Sequence, residues 1–168
     1  MRNKKTIVLT ILLSIASVGQ IILAVVLYDK NGNTAVINLG WVILWVSAVF
    51  GCLPIFTFKK WGGVPKDKGY IHTTKLVDRG LYAILRHPQY LAGILIGLAL
   101  PLITQHWLIA VLGVVVIFIN YITTYDEERD AIAKFGDEYR AYMQRVPRFN
   151  FLLGIFRLIK RKISSSSS

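Results

Sequence analysis

Two adjacent side chains in this sequence have the types and the position of a polar site beside a membrane. Arg86 and His87 stand directly before Pro88, at the start of a long apolar run. Charged groups beside lipid cost free energy, so residues of this kind usually serve a function. A guanidinium can hold a carboxylate through two parallel hydrogen bonds, and an imidazole changes its charge near neutral pH. The pattern therefore indicates anion binding or proton chemistry at this point of the chain.

An acidic cluster at residues 126–130 offers a partner for these cations. At about 100° per residue of helix, Glu128 falls within about 40° of Ile132 and Phe135, whereas Glu127 points about 100° away from Glu128. A carboxylate on an apolar helix face must be paired or take part in chemistry. We therefore expect Glu128 to be paired, while the direction of Glu127 also allows a solvated position.

Composition places these residues in a membrane protein. The 168 residues are 54% hydrophobic and 17% charged, with a mean hydropathy of +0.51, whereas soluble domains are about a quarter charged. A net charge of +11 in a soluble protein would favour nucleic acid. Here the basic residues flank apolar segments, which favours cytoplasmic loops and anionic lipid head groups instead, with no nucleic-acid partner. The single Cys52 excludes an internal disulfide.

Four apolar segments predict the elements that hold the site. The fold class we expect is an all-α integral membrane protein with four transmembrane helices and cytoplasmic amphipathic C-terminal helices. The third and fourth spans form a tight hairpin, because Pro101 and residues 104–106 interrupt the apolar run over residues 90–125. The apolar run at the N-terminus is longer than that of a signal peptide, so we expect a retained anchor. The predicted spans are residues 6–28, 39–58, 90–104 and 107–125.

Two further properties, one of the spans and one of the basic residues, restrict the function and the topology. None of the four predicted spans contains Asp, Glu, Lys or Arg, which argues against an ion-coupled transporter. With the N-terminus in the cytoplasm, every Lys and Arg except Lys30 falls on the cytoplasmic side, so the positive-inside rule predicts that both termini are cytoplasmic. We expect a multi-pass protein of the cell membrane or an endomembrane.

The organisation we expect is one membrane-embedded domain over residues 1–163. The serine tail, residues 164–168, is of low complexity and is left out of the fold. Residues 149–163 mix apolar and basic side chains and predict an interfacial helix on anionic lipid. The sequence does not indicate an oligomeric state.

Two motifs together resemble a known enzyme family. G-L-Y-A-I-L-R-H-P-Q-Y (residues 80–90) is followed by E-E-x-x-A-x-x-x-F-G-D-E-Y-x-x-Y-x-x-x-V-P-R (residues 127–148). This pair is similar to the isoprenylcysteine carboxyl methyltransferases, to which the phospholipid N-methyltransferases are related. The resemblance covers about half of the chain. Ala92 stands where the family has glycine and Ala131 where it has leucine, and the polar residues of the motifs are intact.

The resemblance implies a methyltransferase that uses S-adenosylmethionine and acts on a lipid-borne or apolar acceptor. It implies that Arg86 faces the acceptor and that Arg86 and Glu128 are catalytic. No metal is implied. The cofactor-binding residues that it implies are Leu76, Val77, Gly80, Tyr82, His87, Tyr90, Glu127 and Glu128. Methyl transfer needs mainly the positioning of two reactants, which agrees with these roles.

Several functions stay open from the sequence. Isoprenylcysteine-type carboxyl O-methylation is the first hypothesis, because a carboxylate acceptor is already ionised and needs no general base. Phospholipid or small-amine N-methylation is the second, with His87 as the base. A nicotinamide-dependent reductase of similar fold is a third hypothesis, although those relatives have more spans. A non-catalytic membrane adaptor is the fourth, in which Arg86 would be only a membrane-surface anchor.

Overall fold

The computed structural model describes residues 4–29, 31–63 and 73–166. All regular secondary structure within these residues is helical, in six α-helices and one short 3₁₀ helix. The helices are α1 (Lys4–Val26), α2 (Thr34–Trp61), the 3₁₀ helix Gly80–Ala83, α3 (Pro88–Thr104), α4 (Trp107–Phe135), α5 (Asp137–Arg145) and α6 (Phe151–Ser166). Four of the cations used to predict the orientation lie outside the described residues: Arg2, Lys30, Lys66 and Lys68.

Three helices, α1, α2 and α4, are long and apolar enough to span a membrane, and α3 is a shorter apolar helix. Their outer faces expose large apolar side chains, among them Val25, Trp45 and Phe118. Exposing such continuous apolar surface to water would cost free energy, whereas contact with lipid acyl chains would not. The chain is therefore an integral membrane protein with three to four helices that could span the bilayer.

The helices extend beyond several of the predicted spans. α2 runs through Lys59 to Trp61, where a loop was expected, and α4 continues past residue 125 through the whole acidic cluster. Lys59 and Lys60 lie in the last turn of α2, where their charges favour the negative end of the helix dipole. Pro101 does not break α3 as predicted. The break falls at Gln105, which has φ = 49°.

Two helix boundaries have local explanations in the sequence. α3 begins at Pro88, whose missing N–H costs nothing in a first turn. α4 ends at Phe135, and Gly136 takes φ = 58°, a conformation that glycine adopts without strain. Gly136 is also the N-cap of α5, and Asp137 in its first turn pairs with Arg140 at 2.9 Å.

The chain divides into two compact units, Met1–Phe50 with Tyr90–Glu127 and Gly51–Gln89 with Glu128–Ser168. In the first unit, which we call the span unit, glycines bring helices close together. A Cβ at Gly40 would lie 2.9 Å from the backbone nitrogen of Ile103, and the hydroxyl of Ser47 donates to the carbonyl of Ala92 at 2.9 Å. Backbone contacts of this kind are typical of helices packed within membranes.

In the second unit, which we call the motif unit, α5 supplies the core. Tyr139, Tyr142 and Val146 are buried together, and Leu76 packs against them. The buried hydroxyl of Tyr142 donates to the carbonyl of Tyr82 at 2.7 Å. Burial is the main reason that the pKa of Tyr142 is raised, and the nearby Tyr139 raises it further, so this phenol stays a donor. The hydrogen bond fixes the 3₁₀ helix that leads into Arg86.

Candidate active site

The two sequence motifs are joined by their backbones in the motif unit. The N–H of Arg86 donates to the carbonyl of Pro147 at 3.0 Å, and the N–H of His87 donates to the carbonyl of Arg148 at 3.4 Å. These groups precede α3, so the helix cannot supply acceptors for them. The V-P-R segment after α5 therefore fixes the backbone that carries both candidate functional side chains.

Glu128 is the centre of a buried charged cluster. Its Oε1 lies 2.9 Å from Nη1 of Arg86 and 3.1 Å from Nε2 of His87. The guanidinium of Arg148 binds it through both oxygens, with Nε donating to Oε1 at 3.0 Å and Nη2 donating to Oε2. The side chain of Glu128 is only 5% exposed. The prediction that Glu128 must be paired is confirmed.

The surroundings of Glu128 hold it ionised. The residue lies beyond the apolar part of α4, in the half of the helix that carries the acidic cluster. Burial by itself would raise its pKa, but hydrogen bonds from His87 and Arg148 and the charge of Arg86 outweigh burial and lower the pKa to about 2. The carboxylate is therefore a permanent acceptor at neutral pH, and His87 presents an Nε2–H to it.

The cluster has more positive charge than Glu128 can neutralise. Arg86 and Arg148 contribute two fixed cations against one carboxylate, and the side chain of Arg86 is 10% exposed. Nη1 of Arg86 is close enough to Glu128 for an ion pair, but neither Nη1 nor Nε makes a hydrogen bond to any residue that the structure describes. Buried donors of this kind are costly unless an acceptor reaches them. The arrangement is suited to binding an anion.

Leu76 and Val77 lie at a cavity of about 400 Å³ in the motif unit. Val77 is buried and Leu76 is half-buried. The other lining residues are Lys60, Trp61, Gly63, Lys75, Asp78 and Arg79. Most of these side chains are charged, whereas the lining of a typical ligand pocket is largely apolar. The predicted cofactor segment therefore has space beside it.

Gly80 and Tyr82 have structural explanations within the same unit. Gly80 has φ = 61°, and a Cβ there would lie 3.3 Å from Oγ1 of Thr57, so glycine suits both the backbone and the space. The ring of Tyr82 is buried and stacks on Phe58 with 4.7 Å between the centroids. Their roles in cofactor binding stay predictions.

The structure brings Arg86, His87 and Glu128 together, but Tyr90 and Glu127 fall in the span unit. Tyr90 is half-buried in the first turn of α3, and Glu127 is exposed on α4, in agreement with the direction expected from the helical phase. Their roles in donor binding also stay predictions.

Arg148 is the residue of the cluster that sequence reasoning did not select. In the sequence it is only the last residue of the second motif. In the structure it binds Glu128 through two hydrogen bonds. The signal was its place in the second motif, but the spacing of 20 residues from Glu128 does not reveal a contact. Only the turn after α5 brings the two together.

Comparison with known proteins identifies the family. The family model described as phospholipid methyltransferase matches residues 35–138, more than half of the chain. The chain belongs to the phospholipid methyltransferase family. The match covers α3 and α4 and therefore includes Arg86, His87 and Glu128. A membrane-embedded methyltransferase is the enzyme class that this membership supports, and S-adenosylmethionine is the usual methyl donor of such enzymes.

One curated relative carries the name methanethiol S-methyltransferase 1, from Bradyrhizobium diazoefficiens. It is 46% identical over 67 residues, which are 39% of this chain and 22% of that protein. The chain thus matches less than a quarter of the length of this relative. No solved structure matches the chain.

Proposed function

We propose that the chain transfers a methyl group from S-adenosylmethionine, at the cytoplasmic membrane face, to an apolar acceptor that is an anion when it reacts. The observation that carries this proposal is the excess positive charge around Glu128, together with Nε and Nη1 of Arg86, which make no hydrogen bond to a described residue. An anionic acceptor completes the hydrogen bonds of Arg86. It also needs no general base, since its lone pair is already available.

The residues present fit the chemistry of the donor. S-adenosylmethionine supplies a methyl group on a sulfonium and carries an ammonium, a carboxylate and an adenosine. Among described contacts, Oε2 of Glu128 accepts only from Arg148, so it retains capacity for an ammonium. We propose His87, Tyr90 and Glu127 as further donor contacts. Leu76 and Val77 would border the adenosine side, beside the cavity, with Gly80 and Tyr82 shaping its backbone.

Arg86 is the residue that we propose to bind the acceptor. The first candidate is a carboxylate carried on a lipid, as in isoprenylcysteine-type O-methylation, because a guanidinium binds a carboxylate with two hydrogen bonds. The second candidate is a thiolate, favoured by the name of the Bradyrhizobium diazoefficiens relative. A cation beside a thiol lowers its pKa and raises the fraction of thiolate. Both acceptors use the same property of Arg86.

A phospholipid amine is the alternative that the family name suggests. An amine acceptor must lose a proton, and Nε2 of His87 already donates towards Glu128. The ring would have to accept the proton elsewhere. Carboxylate or thiolate methylation therefore agrees better with the cluster than amine methylation does.

We also propose the finer topology as part of this function. Four spans, α1 to α4, with both termini in the cytoplasm, would bring the N-terminal end of α3 and the C-terminal half of α4 to the same membrane face. Lys and Arg side chains near both support that orientation. Labelling of single cysteines introduced at the exposed positions 75, before α3, and 130, in the last part of α4, in sealed vesicles and a Cys52→Ser background, should show the same sidedness for both.

Donor binding is the first test of this proposal. Purified protein titrated calorimetrically with S-adenosylmethionine or its demethylated product should show saturable binding, and Glu128→Gln should weaken it at least about tenfold, a loss of about 1.4 kcal/mol. Asp130→Asn, an exposed carboxylate on the same helix, is the matched control and should bind normally. Absence of saturable binding to the wild-type protein would end the proposal and would leave the reductase and adaptor hypotheses.

The acceptor is tested with labelled donor. Membranes containing the protein are supplied with a prenylated cysteine, an alkanethiol or phosphatidylethanolamine, and the methylated product is identified. We expect label in the ester or the thioether, and Arg86→Gln should abolish it while Arg86→Lys retains a small part. Label only in the phospholipid amine, unaffected by Arg86→Gln, would refute an anionic acceptor.

A further inference from the structure

α6 has two faces of different character in the motif unit. At about 100° per residue, Leu152, Phe156, Ile159 and Ile163 fall within about 60° of one another around the helix. These four apolar side chains are between 52% and 77% exposed. They form one continuous stripe, which we call the outer stripe. An exposed apolar stripe of this length needs a cover.

The opposite side of α6 is fixed to the protein. A Cβ at Gly154 would collide with the carbonyl of Ile84, so the helix backbone lies directly on the segment before Arg86. Nη2 of Arg161 donates to the carbonyl of Ala83 at 3.1 Å, and Nη1 of Arg157 donates to the carbonyl of Gln144 at 3.3 Å. The orientation of α6 is therefore set by the protein, and the outer stripe points away from it.

The charge of α6 indicates what covers the outer stripe. Residues 151–163 contain four cations, Arg157, Lys160, Arg161 and Lys162, and no acidic residue. Lys160 and Lys162 lie about 70° and 90° from the middle of the stripe, one on each side. Lysines beside an apolar face can extend their ammonium groups to lipid phosphates while the stripe enters the acyl region. A water-soluble protein partner would not require this charge.

We propose that α6 is an interfacial helix that docks on an anionic lipid surface through the outer stripe, with Lys160 and Lys162 on the lipid head groups. Gly154 and Arg161 contact Ile84 and Ala83, which precede Arg86 by two and three residues. Docking therefore also restrains the backbone that carries Arg86 and His87. α6 thus makes the geometry of the charged cluster depend on the lipid surface, whichever acceptor the protein uses.

Hydrogen exchange of the full-length protein in vesicles tests docking without any activity measurement. Amides of residues 151–163 should exchange at least about fivefold more slowly in phosphatidylcholine mixed with phosphatidylglycerol than in phosphatidylcholine alone. Added salt should reduce the difference, because lipid charges are screened. The double variant Lys160→Gln/Lys162→Gln should lose it, and Lys160→Arg/Lys162→Arg should keep it. Equal exchange in both lipids would overturn the proposal.

Exchange of the Arg86 and His87 amides in the same samples tests separately whether docking restrains the site. The amides of Arg86 and His87 should slow together with α6 in anionic vesicles. In Gly154→Ala, α6 should still respond to anionic lipid, but Arg86 and His87 should no longer follow it. If α6 responds in the wild-type protein while these two amides do not, the link to the site is wrong. Protection of α6 that rises with protein concentration in both lipids would instead mean that a second copy covers the outer stripe.

Discussion

Each compact unit contains a buried polar centre, and the two centres differ in charge and in the groups that bind them. In the span unit the centre is Gln20, which is fully buried and whose Nε2 donates to the carbonyls of Gly97 and Ile109 at 3.1 and 3.2 Å. In the motif unit it is Glu128, with two guanidiniums and an imidazole around it. The first centre is neutral and bonded to backbone, and the second is charged and bonded to side chains.

The role of Gln20 follows from a proline elsewhere in the span unit. Pro101 has no N–H, so the carbonyl of Gly97, four residues before it, loses its helical partner. Gln20 supplies the missing donor. This explains how Pro101 stays inside α3 and why the apolar part of α1 carries one strongly polar residue, Gln20. The Gln20 centre stabilises helix packing, and its Nε2 is used by two carbonyls. In the Glu128 centre, Nε and Nη1 of Arg86 make no hydrogen bond to any described residue, although Nη1 is ion-paired with Glu128.

The largest effect should come from removing the carboxylate of the charged centre. Glu128→Ala leaves Arg86 and Arg148 buried without their counter-ion, which costs about 3–5 kcal/mol of unfolding free energy. The loss is measurable by titration with dodecyl sulfate in mixed micelles. Asp130→Ala on the exposed face of the same helix should change it by less than about 0.5 kcal/mol. Similar small losses in both variants would mean that the charged centre contributes no net stability.

Acid should reproduce part of this loss. The pKa of Glu128 is about 2 in the folded protein against an ordinary value of 4.5. Its contribution to stability is therefore complete above the ordinary value and disappears as the pH falls towards 2. The difference in unfolding free energy between the wild-type protein and Glu128→Gln should shrink over this range. A constant difference would show that the native pKa of Glu128 is not lowered.

The charged centre was more predictable than the neutral one because its residues lie in motifs. Helical phase alone placed Glu128 on an apolar face, and the two motifs contain Arg86, His87 and Glu128. The sequence could not show that Arg148 binds Glu128, since that contact depends on the turn after α5. The partners of Gln20 could not be predicted either, because they are backbone carbonyls and every residue carries one. The prediction that Pro101 breaks the helix was wrong for the same reason, because the donor that replaces its missing N–H comes from another helix.

A medium loss of unfolding free energy should follow from adding a side chain at Gly113 in the span unit. A Cβ there would collide with the carbonyl of Gly97 and approach Nε2 of Gln20 to 2.9 Å, so the helices would have to separate. Gly113→Ala should cost about 1–3 kcal/mol in the same unfolding titration. Gly19→Ala is the matched control, because a Cβ at Gly19 meets nothing within 4 Å. If the control loses as much as Gly113→Ala, close packing is not the cause. Donor binding should survive in Gly113→Ala protein that remains folded.

The smallest effect should be that of Gln20→Leu. This change removes the donor to Gly97 but also removes Oε1 of Gln20, which has no hydrogen-bond partner among the described residues. Hydrogen bonds between helices in membranes contribute about 0.6 kcal/mol on average and up to about 1.7 kcal/mol, so we expect a loss within that range. The decisive comparison is a double-mutant cycle with Pro101→Ala, which restores the N–H that Gly97 lacks. If Gln20 compensates for Pro101, Gln20→Leu should cost less in the Pro101→Ala background than in the wild-type protein. Equal costs in both backgrounds would show that Gln20 stabilises α3 independently of its proline.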